Sequence, residues 1–349
     1  MISYLVFFVT VAAILSVATL GLNLQWGVSG QFNAGVVGFI AVGGYTQAIL
    51  TLMSTDLIVA PGLPFAAGAL GTMPATGLIA LLVGVATLKL RTDYLAIATF
   101  GIASSIQVLV NNLDPLTGGA RGLVGIPRPF DALGQPGYAL AWLAMIVVLL
   151  IVVYAALQAL LASPWGRVQR ALREDEAACA ALGKNVVRFR LEAFVLGAML
   201  MGLSGALYVA YVGAISPGDF LPVVTFQIWA MLIVGGSGSH LGAIVGSFVV
   251  WGLWTFSGAV MVGLLPARLQ AQGGAIQATL VGLLLVLTLL LRPGGLIGPR
   301  PPSQPPSRPP SRIPAPAAGP EPASAQQRAD RAAAPPYKPA GPDLPAGTS

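Results

Sequence analysis

Charge, cysteine and histidine are what this chain of 349 residues has least of: 9% of its residues are charged, and it holds one cysteine, Cys179, and one histidine, His240. Soluble domains carry about 25% charged residues, so the shortage of charge together with 56% hydrophobic residues excludes an ordinary soluble fold and points to a polytopic membrane protein. A single cysteine excludes an internal disulfide and an all-cysteine metal site, and a single histidine excludes a histidine cluster. The phosphate loop GxxxxGK[ST] is missing: the sole Gly-Lys pair, Gly183-Lys184, is followed by Asn185, so the chain is not expected to hydrolyse ATP itself. No Ser/His/Asp set or paired carboxylate stands out, and neither enzymatic activity nor a cofactor is expected. The net charge of +6 sits in short loops between apolar runs, which is a membrane-topology pattern and not a nucleic-acid footprint.

What is present is a series of apolar runs, parsed by the roughly 20 residues a helix needs to cross a bilayer core of about 30 Å. The reading is all-α, with about nine (eight to ten) transmembrane helices: residues 2–22, 34–53, 65–88, 94–112, 138–162, 191–213, 222–236, 240–262 and 275–291. The first run lacks a basic leader and a small-residue cleavage site, and is read as a retained span and not a signal peptide. Two runs are interrupted by polar or glycine-rich stretches, NLQWGVSGQFN at 23–33 and GGSGSH at 235–240. Such stretches at membrane depth need partners for their backbone groups, so they are tight turns or broken helices lining a cavity. For 222–262 the reading is two helices, the first short, with a re-entrant half-helix as the alternative for 222–236. Residues 1–298 form the transmembrane domain. From Pro299 the chain is rich in Pro, Ala and Ser, cannot bury enough apolar surface to fold, and is read as a disordered tail.

Lys89 and Arg91, the six basic residues of 163–190, and Arg292 fall on one side of a nine-span chain. The positive-inside rule then puts the N-terminus outside and the tail in the cytoplasm. Asp93 and Glu192 lie at span ends beside basic residues, and no ionisable residue falls deep within a span by this parsing, which argues against a proton relay, whereas sodium held by backbone carbonyls stays compatible. The informative side chains are neutral: Asn23, Gln25, Asn33, Tyr45, Gln47, Gln107, Asn111, Thr225 and Gln227. They suit either a wet path for a polar solute or interhelical hydrogen bonding, and spacing alone does not separate the two. The charged stretch 163–190 contains a helix-forming run from Pro164 to a C-capping Gly183, read as one short helix presenting charge to another protein.

Six stretches carry a family resemblance: GLNLQWGVSGQFNAGVVGFIAVGGYT (21–46), LRTDYLAIATFGIA (90–103), TGGARGLVGIPRPF (117–130), SPWGRVQRALREDEAACAALGKNVVRFRLEAF (163–194), ISPGDFLPVVTFQIWAMLIVGGSGSHLGAIVG (215–246) and LLRPGGLIG (290–298). In these the chain resembles the inner-membrane permeases of branched-chain amino acid ABC transporters, of the LivM type. The resemblance implies a multi-pass protein of the bacterial inner membrane, surrounded by lipid, moving leucine, isoleucine and valine. It also implies a second homologous permease subunit, two ABC ATPase subunits, a periplasmic substrate-binding protein, and no nucleic acid. By the same resemblance 163–190 is the segment that docks on the ATPase, with Arg167, Arg170, Arg173, Glu174, Asp175, Glu176 and Gly183 as its coupling residues. Glu176-Ala177-Ala178 matches the EAA motif of importers, but Gly183 stands five residues after Ala178 where the motif has four. Loop 113–137 would face the binding protein. The rival readings are a urea or short-amide importer on the same scaffold, an ion-coupled secondary transporter, and a structural membrane subunit.

Overall fold

The computed structural model describes residues 2–52, 61–87, 90, 92–264 and 273–298. Lys89, Arg91, the outside-loop residues Asp56 and Arg268, and the tail 299–349 lie outside the described residues. Nine apolar helices run among the described residues: α1 (Ile2–Leu22), α2 (Val36–Thr51), α3 (Phe65–Thr87), α4 (Thr92–Asn112) and α5 (Gly134–Ala162), then, after two short helices, α6 (Pro164–Glu174) and α7 (Glu176–Ala181), α8 (Val186–Val212), α9 (Pro222–Gly235), α10 (His240–Leu264) and α11 (Gly273–Leu291). Seven of the nine are long and apolar enough to cross a membrane, and two, α2 and α9, are shorter. At 1.5 Å per residue the 16 residues of α2 and the 14 of α9 span about 24 and 21 Å, less than a bilayer core of about 30 Å. These two shorter helices are those next to the polar breaks.

α8 is the centre of the bundle: 78% of its most apolar window is buried, against 6% for α11 at the edge. α8 packs on α1, α2 and α3, and small residues let it do so. A Cβ added at Gly43 of α2 would lie 2.0 Å from the Gly202 carbonyl oxygen of α8, so these helices cross backbone to backbone.

The loops sort into two ends. At one end Leu123–Val124 pairs antiparallel with Ala214–Ile215, Arg128 bonds the Val212 carbonyl, and the Tyr138 hydroxyl donates to the Tyr211 carbonyl at 3.0 Å. At the other end residues 23–33, the charged segment, the α9–α10 break and residues 292–298 meet; Leu296 and Ile297 donate their N–H groups to the carbonyls of Val234 and Gly235, both at 2.9 Å.

Two local expectations change. The single helix expected over Pro164 to Gly183 is broken at Asp175, which adopts extended backbone (φ −149°, ψ 103°) so that its carboxylate can accept the Ala178 N–H at 2.9 Å. A short acidic side chain competes well for that N-cap, which favours two helices over one. Leu172 of α6 is buried in consequence, whereas Leu182 after α7 is 79% exposed. α8 begins at Val186 and not at residue 191, because the Asn185 side chain caps it by accepting the Arg188 N–H at 3.1 Å.

Candidate functional site

The polar break after α1 is wound as a π-helical turn, Asn23–Val28. A π turn widens the backbone ring, and such turns concentrate at functional positions. Asn23, Gln25, Gln31 and Asn33 are all fully buried here; the amide groups of Asn23, Gln25 and Asn33 are paired in a chain of hydrogen bonds, while Gln31 donates through Nε2 and its Oε1 has no partner among the described residues. The Asn23 carbonyl Oδ1 accepts the Gly238 N–H at 2.7 Å, which leaves Nδ2 to donate to His240 Nδ1 at 2.7 Å. His240 is thereby held as the tautomer protonated on Nε2. Gln25 Nε2 donates to the Phe194 carbonyl of α8 at 2.7 Å, and its Oε1 accepts from Asn33 Nδ2 at 2.8 Å. Asn33 Oδ1 accepts the Gly35 N–H at 2.7 Å at the start of α2, while the Asn33 carbonyl accepts Trp229 Nε1 at 2.9 Å from α9. Thr225 Oγ1 accepts the Val37 N–H at 3.1 Å, and Thr99 Oγ1 accepts the Ala34 N–H at 3.0 Å.

The structure therefore brings Asn23, Gln25, Asn33 and Thr225 to one junction joining α1, α2, α8, α9 and the α9–α10 break. Tyr45 sits elsewhere, with its ring 6.0 Å from that of Phe220. Gln47 lies between α2 and α3, donating weakly to the Phe65 carbonyl at 3.5 Å. Gln107 is half-buried and Asn111 exposed on α4. Gln227 is buried on α9, its Nε2 without a partner among the described residues. Sequence reasoning missed Thr99, His240 and the aromatic wall formed by Trp26, Phe32 and Trp229. In that wall Phe32 stacks on Trp229 at 4.3 Å, with Trp26 at 5.3 Å from Phe32 and 5.5 Å from Trp229. Only the partners expose these roles: a span threonine and a lone histidine give no periodic signal, although Trp26 and Phe32 flank the polar residues of 23–33.

The charged segment packs beneath this junction. Arg167 and Arg170 each reach back to α5, bonding the carbonyls of Ala162 and Leu161 at 3.3 Å, where a cation complements the negative end of a helix. Arg173 turns inward and bonds the Gly27 carbonyl of the π turn. Glu176 pairs with Arg190 at 3.2 Å, an exposed pair of small energetic weight. Glu174 and Asp175 are exposed, and Gly183 adopts φ +76° to close α7, with the Lys184 N–H on the Cys179 carbonyl at 3.1 Å and the Gly183 N–H on that of Ala180 at 2.9 Å. Gln169 Nε2 donates to the Phe189 carbonyl at 2.6 Å and Trp165 Nε1 to Glu192 at 2.9 Å, which anchors α6 to the base of α8. The face left outward carries Ala177, Ala178, Ala180, Ala181 and Leu182.

Among the described residues no group of three His, Cys, Asp or Glu side chains could hold a metal ion. The junction offers neutral donors and acceptors and an aromatic wall, which suits conformational rearrangement or passage of a polar solute and not acid–base chemistry.

No solved structure matches the chain. The LivM high-affinity branched-chain amino acid transport permease of Escherichia coli (strain K12) is 30% identical over 315 residues, covering 82% of this chain and 68% of that protein. The probable LivM permease of Methanocaldococcus jannaschii is 27% identical, covering 82% of this chain and 90% of its own length. The LivH permease of E. coli (strain K12) is 27% identical, covering 83% and 93%. The family model for the permease component of branched-chain amino acid transport systems matches residues 4–297, nearly all of the described bundle, and the chain belongs to that family.

Proposed function

We propose that this chain is a permease subunit of an ATP-driven importer for branched-chain amino acids, itself non-catalytic, with ATP hydrolysed by separate subunits. The family match over residues 4–297 carries the reading. Within it, residues 163–190 are the ATPase-facing segment: the exposed alanines of α7 and Leu182 form an apolar patch on an otherwise charged surface, the kind of anchor a partner groove buries. The end carrying 23–33, 163–190 and 235–240 is cytoplasmic, with the N-terminus and loop 113–137 periplasmic and the latter turned to the substrate-binding protein. The matches to both LivM and LivH support pairing with a second, homologous permease. Asn23, Gln25, Asn33 and Thr225 belong to the gated end of the path; Tyr45, Gln47, Gln107, Asn111 and Gln227 are assigned to it on polarity alone.

The test is reconstitution of the complete complex in vesicles. Labelled leucine should accumulate on addition of ATP and not on imposing a sodium or proton gradient. Accumulation of labelled urea in its place would move the assignment to the short-amide importers.

A further inference from the structure

Arg173 is an exposed residue of the charged segment whose side chain nonetheless reaches the π turn. Its guanidinium bonds the Gly27 carbonyl, across 146 residues of sequence. Its stem runs past Gly30, where an added Cβ would lie 3.3 Å from Arg173 Cγ, and Gly30 adopts φ +72°, a conformation that glycine takes at no steric cost. Gly27 touches the next link as well: a Cβ there would lie 2.1 Å from Asn23 Oδ1 and 2.5 Å from the Gly238 nitrogen. Asn23 in turn holds Gly238 and His240 at the α9–α10 break. One short run of contacts therefore leads from α6 through the π turn to both broken ends.

We propose that Arg173 is a positioning residue for transport, tying the ATPase-facing segment to the π turn so that movement of α6 rearranges the Asn23–Gly238–His240 junction. The inference rests on reading residues 163–190 as ATPase-facing. Gln31, bonded to the Arg190 carbonyl at 2.9 Å, and Gln25, bonded to Phe194, hold the other side of the π turn to α8. The turn is thus bonded on one side to α6 and on the other to α8, two helices that are themselves joined at their near ends through Gln169 and Trp165. A bond to a neutral, partly buried carbonyl is only weakly screened by salt, whereas a surface ion pair to a partner is strongly screened.

The experiment compares Arg173→Ala, Arg173→Lys and, as a control on exposed α11, Thr279→Ala in the full chain, alone and in the reconstituted complex. Amide exchange over residues 27–33 of the permease alone should quicken at least tenfold in Arg173→Ala, by an intermediate factor in Arg173→Lys, and not in Thr279→Ala, at both low and high salt. In the complex, Arg173→Ala should retain the ATPase subunits while leucine moved per ATP falls at least tenfold. If Arg173→Ala does not fold, Arg173→Lys carries the same comparison with a smaller change. Unchanged exchange, or loss of the ATPase subunits with unchanged exchange, overturns the proposal, the second by making Arg173 a partner contact. Leu182→Cys reports separately on the underlying reading: if it fails to cross-link to the ATPase while exchange still responds to Arg173, the ATPase-facing assignment falls and the tie to the π turn stands.

Discussion

At the scale of single residues, the buried amides separate by whether they are paired. Gln25 serves two partners at once, so Gln25→Ala orphans the Asn33 amide and strips the helical Phe194 carbonyl of the second bond it accepts. An orphaned buried group costs about 1–3 kcal/mol. The purified protein should unfold at a clearly lower temperature in consequence. Tyr45→Phe is the contrast: the Tyr45 hydroxyl has no partner among the described residues, and its removal should leave thermal stability within about 0.5 kcal/mol of the parent. A Gln25→Ala variant as stable as Tyr45→Phe would show that the junction is not the tight network described. Sequence reading picked out both residues as unusual polar groups in apolar runs, because hydropathy exposes them. It could not rank them, because pairing depends on Phe194 and Asn33, which lie 169 and 8 residues away.

At the scale of elements, the apolar helices were legible from length alone, since a span must be near 20 residues and charge or proline ends it. The helices α2 and α9 were read too, as 34–53 and 222–236, and the stretches beside them only as interruptions. That 23–28 winds as a π turn, and that α6 and α7 part at Asp175, is decided by side chain to backbone bonds that compete with the helical ladder, and the run RVQRALREDEAACAALG reads equally well as one helix. Asp175→Ala removes a cap of about 1 kcal/mol, so amides 178–181 should exchange about fivefold faster while those of α8 are unchanged. The helix crossing makes a stronger demand. Gly43→Val pushes a side chain into the Gly202 carbonyl, at the upper range of overpacking, more than about 3 kcal/mol. Little folded protein should be recovered on size-exclusion chromatography, and normal recovery would contradict the backbone contact of α2 with α8.

At the scale of the whole molecule, loops far apart in sequence collect at two ends. The broad class was legible from scarce charge, and the family from six stretches whose spacing spans the bundle. Span parity already put 23–33, 163–190 and 235–240 on one side; what stayed hidden was that they touch, because no local pattern encodes which helices pack together. In a Cys179→Ser background, single cysteines at Leu182 and Ser237 should react with an impermeant thiol reagent from the cytoplasmic side, and one at Val124, which is 74% exposed, from the periplasmic side. Labelling of Val124 and Leu182 from the same side would break the topology. The central claim is ATP-driven import of branched-chain amino acids through this chain. Its most direct measurement is uptake of labelled leucine by vesicles holding the complete complex. The account predicts ATP-dependent accumulation that isoleucine and valine compete away and that an ion gradient alone does not support. Accumulation driven by an ion gradient without ATP would contradict it.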